Sequence, residues 1–231
     1  MKRFYKEVTV AEVASGYEVR LDGKSLRTPA KAPLLLPGRA LADAIAAEWA
    51  AQGDRVTPNS MPLMQFASTA IDRVGPQRDS IVEAVARYAE TDLLCYRADF
   101  PTELADRQAQ VWQPILDWAA LRYDAPLLVN VGIMPKPQPA DACRALRRAV
   151  EKLDDMVLSG VQNATSCCGS LILALALLEG RIDAEEAFAA AELDETFQIE
   201  QWGEDAEAAQ RRTNLRADIM ATQRFLELVQ S

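Results

Sequence analysis

The apolar residues of this 231-residue chain change their spacing near Gly75-Pro76, and that change limits the possible folds more than any other feature. Before it they alternate, in Glu7-Val8-Thr9-Val10 and in Tyr17-Glu18-Val19-Arg20-Leu21. A period of two puts one set of side chains on the core face of a strand. After it the period is helical. Ile81, Val82, Val85 and Tyr88-Ala89 mark one helix, and Leu104, Val111, Trp112, Ile115 and Trp118 mark the next. The fold class expected is α+β. A small N-terminal mixed α/β domain with an antiparallel sheet covers 1–75, and a larger all-α C-terminal domain covers 76–231.

Turn chemistry refines this division. Ser15-Gly16 and Asp22-Gly23 separate the strands, and Asp-Gly suits a tight hairpin that needs positive φ. Leu26-Arg27-Thr28 reads as a third strand, after which Pro29, Pro33 and Pro37 interrupt any ladder. Arg39 to Gln52 reads as a helix ended by Gly53, with Leu41, Ile45 and Trp49 as its buried stripe. Leu63 to Val74 reads as another. Pro114 is expected to kink or break the helix that contains it. The β-branched stretch Pro126 to Met134 is expected to be a strand joining the first domain's sheet, followed by a stiff connector through Pro135, Pro137 and Pro139. Helices are expected across Ala140 to Leu158 and from the Cys167 region to Glu179. Asp183 with Glu186 reads as the capping box of the next helix, and a last helix runs from about Asp205 to Leu228.

Composition narrows the function. The net charge of -9 disfavours phosphate backbones and anionic membrane surfaces as partners. The longest apolar run, Leu171 to Leu178, is far short of the roughly 20 residues that span a bilayer. The N-terminus shows neither a signal core nor a transit segment, so a soluble, unexported protein is expected. Histidine is absent, which removes the usual nucleophile activation and the usual zinc sites. Cys95, Cys143, Cys167 and Cys168 show no CxxC spacing and fit free thiols. No phosphate-binding glycine loop is present, which leaves a nucleotide-binding role unsupported, and no cofactor, metal or catalytic residue is singled out.

Between Arg181 and Arg211 there is no Lys or Arg, but ten acids, with Phe197 and Trp202 among them. A run of one sign is most often a solvated helix face. Embedded aromatics favour a surface that meets a basic, partly apolar protein. Asp194, Glu195, Phe197, Trp202, Glu204 and Asp205 are the expected partner-binding residues. The alternative is a small carboxylate-dependent hydrolase of unknown substrate. Such an enzyme needs two carboxylates in different environments facing one substrate. Adjacent acids on a helix, such as Asp154-Asp155 or Glu185-Glu186, diverge by about 100°.

Several segments taken in order carry a resemblance. They are Leu21-Asp22-Gly23-Lys24-Ser25-Leu26-Arg27-Thr28-Pro29-Ala30-Lys31, Glu48-Trp49-Ala50-Ala51-Gln52 and Met61-Pro62-Leu63, then Tyr88-Ala89-Glu90-Thr91-Asp92-Leu93, Gln108 with Trp112, Gly169-Ser170-Leu171 and Trp202-Gly203-Glu204-Asp205. Together they resemble the Atp12 family, across nearly the whole chain. The resemblance implies an assembly chaperone of the F1 sector of ATP synthase, with no enzymatic activity. Such a chaperone binds the free α subunit and prevents its aggregation before it pairs with β. It also implies an N-terminal α+β domain, a helical C-terminal domain and a functional role for the Asp194-Glu195 segment. A monomer in the cytoplasm is expected for a bacterial member, and the mitochondrial matrix for eukaryotic relatives.

Overall fold

The computed structural model describes residues 2–132 and 136–231. Strands β1 (Val8–Val13) and β2 (Gly16–Leu21) form an antiparallel hairpin, and β3 (Lys24–Ser25) extends it in the order β1-β2-β3. Val10 faces Val19 across the ladder, and Val8 faces Leu21. Asp22 and Gly23 both take positive φ, 48° and 78°, as the tight hairpin requires. The Asp22 carboxylate also accepts the backbone N–H groups of Glu7 and Lys6, and these bonds hold its pKa below the ordinary value. The third strand lies earlier than its apolar residues suggest. Leu26 donates its N–H to the Val19 carbonyl, but Arg27 then bridges Pro33 rather than extending the ladder.

Helix α1 (Arg39–Ala50) buries Leu41, Ala42, Ile45 and Trp49 in the core with Val19, Leu21 and Leu36. Helix α2 (Pro62–Thr69) begins at a proline, whose missing N–H costs nothing in a first turn. Its free N–H groups on Leu63 and Met64 are taken by the Glu48 carboxylate of α1, at 2.8 and 2.9 Å. One side chain thereby joins two helices. A single π-turn, Ala70–Val74, follows α2.

The contacts divide the described chain into two compact units. The first is formed by residues up to Arg78, with Asp154–Gly160 and Arg224–Ser231 returning to it. In it the Ser159 hydroxyl donates to the Phe66 carbonyl, and the Phe66 and Phe225 rings pack 5.2 Å apart. A Cβ on Gly160 would lie 2.6 Å from Leu226, so only glycine allows that approach.

The second unit, Asp79–Leu153 with Val161–Gln223, is mainly helical. It contains α3 (Arg78–Ala86) from its second residue on, the short strand β4 (Tyr96–Arg97), α4 (Thr102–Tyr123), β5 (Asn130–Val131) and α5 (Ala140–Glu151). Then come α6 (Asp155–Cys168), which starts in the first unit, α7 (Leu171–Leu178), α8 (Ala184–Ala191), α9 (Leu193–Trp202) and α10 (Ala206–Gln230), which ends in the first unit. Every residue of α7 from Leu171 to Leu177 is buried, and its all-apolar sequence is that of a central helix.

Three expectations are corrected. The strand at 130–131 pairs in parallel with β4 and not with the N-terminal sheet; the rest of the expected strand, Ile133 and Met134, lies outside the described residues, as does Pro135 of the connector. Pro114 does not end α4, which continues for nine more residues. Pro114 is exposed, while Trp112, Ile115, Leu116 and Ala119 bury the opposite face. That buried face outweighs the one backbone bond a proline removes. The segment Ala140 to Leu158 is two helices, because Asp154 accepts the N–H of Val157 and starts α6 afresh.

Candidate functional site

The acidic run is one-signed along the chain but not in space. Glu185 meets Arg216 at 2.7 Å, and Glu192 meets both Arg211 at 2.7 Å and Arg212 at 3.0 Å. Arg107 of α4 donates to both carboxylate oxygens of Glu200 at 2.9 Å. Arg212 also reaches Glu204 at 3.2 Å. Asp183 and Glu186 form the expected capping box at the start of α8. The arginines come from before and after the run, so sequence spacing alone does not reveal the pairing.

Six residues were singled out from the sequence, and they fall into different environments. Asp194 accepts a hydrogen bond from Gln108 Nε2 at 2.7 Å. Glu195 stands 4.0 Å from Arg211 at the surface. Phe197 is 6% exposed and turns inward, with the Arg107 guanidinium 5.4 Å from its ring centre. Asp205 accepts the N–H groups of Glu207 and Ala208 at 2.9 Å and so caps α10. Glu204 is held by Arg212. Trp202 is 79% exposed at the end of α9, where Gly203 turns the chain at φ 86°. Phe197 thus supports the surface from beneath, and Trp202 presents an aromatic face to solvent.

Beneath Asp194 lies a polar cluster that sequence reasoning touched only through the pair Gln108 and Trp112. Gln108 is buried, accepts the Ala98 N–H at 2.8 Å through Oε1 and donates to Asp194. Trp112 donates its indole N–H to the Ala190 carbonyl at 2.9 Å. Arg97 is 8% exposed, lies 5.0 Å from the Trp112 ring centre and, among the described residues, its guanidinium makes only long hydrogen bonds of 3.4 Å, to the Gln108 carbonyl and to Gln113. Burial pulls its pKa below the ordinary value, and the nearby Asp194 charge opposes that shift. Gln108 therefore links a buried cation to a half-buried anion. An arginine two residues after a cysteine in a short strand carries no sequence signal of this role.

The site's carboxylates are each engaged by a cation, an amide or a backbone N–H. Among the described residues no group of three His, Cys, Asp or Glu could hold a metal ion. The cysteines are free, and burial pushes the thiols of Cys95 and Cys167 up to about 12 and about 11, away from reactive thiolates. No described helix is long and apolar enough to cross a membrane.

The chain is a two-unit α+β protein that sets an exposed aromatic ring among clamped charges. Comparison with known proteins makes the class specific. Residues 2–120 match the family of the ATP12 chaperone protein. The chain is 26% identical over 220 residues to "Protein atp12, mitochondrial" of Schizosaccharomyces pombe, covering 89% of this chain and 75% of that protein. The crystal structure of Atp12 from Paracoccus denitrificans superposes with a TM-score of 0.95 at 42% identity, over 99% of this chain and 98% of that one. The Atu1473 protein of Agrobacterium tumefaciens superposes with a TM-score of 0.93 at 45% identity, over 98% and 85% of the two chains. The chain belongs to the ATP12 chaperone family.

Proposed function

We propose that this protein is an assembly chaperone of the F1 sector of ATP synthase, which binds the free α subunit and prevents its aggregation before it pairs with β. A ring subunit exposes apolar interfaces until it is assembled, and a temporary cover must bind them reversibly. The observation that carries the reading is Trp202, 79% exposed at the end of α9, with Glu195 earlier on the same helix and Glu204 and Asp205 next in the chain after Gly203. An aromatic anchor with a polar, displaceable rim is how a reversible interface is built. The acids are held in place by Arg211, Arg212 and the backbone of α10, so little side-chain entropy is lost on binding. The protein acts as a monomer in the cytoplasm, and Asp194, Glu195, Trp202, Glu204 and Asp205 contribute to the contact, with Phe197 as support. The test is capture from the native lysate with the tagged full-length protein. Recovery of F1 α supports the reading, and recovery of no F1 subunit overturns it.

A further inference from the structure

The first unit contains a cavity of about 410 Å³ that is partly open to solvent and plays no part in the surface described above. Trp49 of α1, Met64 and Ser68 of α2, and Val56 and Met61 between these helices line it, with Arg27 also in its wall. The lining includes no carboxylate. Its volume lies within the usual range for ligand sites, about 300–1,000 Å³, and is enough for one or two large side chains.

Two features separate this cavity from a packing defect. Trp49 Nε1 and Ser68 Oγ are buried without a hydrogen-bond partner, although the two residues are only 7% and 6% exposed. Buried polar groups are nearly always paired, and an indole N–H can only donate. Trp49 is fixed in this position: the Tyr5 hydroxyl donates to its carbonyl at 2.6 Å, and the two rings pack edge to face at 5.5 Å. The Ser68 hydroxyl does not turn back onto its own helix, the usual resort of a helical serine. The exposed Arg27 guanidinium donates to the Lys31 carbonyl at 2.8 Å and forms no ion pair among the described residues. The residues of the wall therefore include an indole donor and a hydroxyl that lack partners and are closed off from solvent, beside a cation without an ion pair and two methionines. Methionine side chains rearrange easily around apolar groups of different shape.

We propose that this cavity is a second client-contact site, which takes an apolar side chain from an extended segment of an unassembled polypeptide. The methionine side chains move aside to admit it. A backbone carbonyl of the segment accepts the Trp49 indole N–H, the Ser68 hydroxyl meets a neighbouring backbone group, and an adjacent carboxylate pairs with Arg27. The proposal rests on the chaperone role of the family and not on which subunit is the client.

The experiment uses the full-length ¹⁵N-labelled protein and the blocked peptide acetyl-Asp-Leu-Met-Phe-amide. The four tryptophans give separate indole N–H resonances, and Trp49→Phe assigns the one of interest. The expected result is a saturable shift of the Trp49 resonance, with those of Trp112, Trp118 and Trp202 unmoved. Arg27→Glu, an exposed change, should weaken binding about tenfold. Thr69→Phe, which narrows the cavity, should abolish it, with the unperturbed Trp112 resonance reporting the fold. No shift at Trp49, equal affinity in the Arg27→Glu protein, or a shift with decanoate but not with the peptide would overturn the proposal. The titration contains no F1 subunit, so its failure is distinguishable from failure to capture F1 α.

Discussion

Asp92 and Ser170, 78 positions apart, meet through a hydrogen bond of 2.6 Å from the serine hydroxyl to Asp92 Oδ1. Ser170 in turn accepts the N–H of Leu173 and caps α7, while Asp92 accepts the N–H groups of Leu94 and Ile172. The helix at the centre of the second unit therefore begins on a buried carboxylate. Burial raises the Asp92 pKa to about 6, against the opposing pull of the hydrogen bonds from Ser170, Ile172, Leu94 and Leu171.

Replacing Asp92 by Asn should cost about 2 kcal/mol or more at neutral pH, because an amide nitrogen must then face a backbone N–H. The pH dependence has a definite sign. A carboxyl with a raised native pKa binds more protons folded than unfolded between about pH 4 and pH 6. Its contribution is fully present below about pH 4 and is lost as pH rises to about 6, a change of about 2–3 kcal/mol. Other carboxylates titrate in the same range, so the measurement is the stability difference between wild type and Asp92→Asn. That difference should shrink from pH 4 to pH 6.5 in chemical denaturation. A difference independent of pH would show that Asp92 is not raised.

Glu48 joins α1 to α2 by accepting the N–H groups of Leu63 and Met64. Its pKa is raised by burial, with the two backbone bonds opposing. Glu48→Ala should destabilise the protein by about 1–2 kcal/mol, with Glu48→Gln intermediate because one acceptor remains. Urea denaturation of the three proteins gives the order. Equal stability of Glu48→Ala and wild type would contradict the bridging role.

Glu192 is the buried acid of the α8–α10 region, shared by Arg211 and Arg212. Glu192→Ala leaves the largely buried Arg212 with Thr196 and Glu204 as its remaining polar partners and should cost about 2–3 kcal/mol. Glu207→Ala, an exposed change on α10, should stay within about 0.5 kcal/mol. Thermal unfolding of the two variants separates a structural acid from a solvated one. Similar melting temperatures would mean that the arginine clamp contributes nothing.

What sequence could show here follows from the range of each signal. Period, capping boxes and Asp-Gly turns act over a few residues, and β1, β2, α1, α8 and α10 were legible from them. The destination of β5 was not, because a strand of two residues chooses its partner by tertiary packing, and Tyr96-Arg97 carries no distinctive pattern. Pro114 was misleading because its local penalty is fixed while the gain from burying Trp112 and Ile115 depends on the whole unit. The same limit applies to the candidate site. Aromatics within an acidic run single out this segment, but whether an acid is free depends on arginines elsewhere in the chain. Arg107, Arg211 and Arg212 turned a run of repelling charges into a set of pairs. Phe197 and Trp202 looked alike in sequence, five residues apart, and only packing separates the buried ring from the exposed one. Gln108 could be noticed as a polar residue four positions before a buried Trp112, whereas Arg97 had no such marker.

These placements decide how the central claim is best tested. Reversing the charge of Asp194 would bring a cation beside buried Arg97 and disturb the fold, so it does not isolate binding. Trp202 and Glu195 lie at the surface, and changing them should leave the melting temperature within about 2 °C. The most direct measurement is the affinity of isolated F1 α subunit for the wild type and for Trp202→Ala with Glu195→Lys, at low and moderate salt. The account predicts at least a tenfold loss in the double variant, consistent with removal of an aromatic anchor and reversal of a rim charge, and weaker wild-type binding as salt rises. Equal affinities for a correctly folded variant at both salt concentrations would contradict it and remove the α9–α10 surface from the contact.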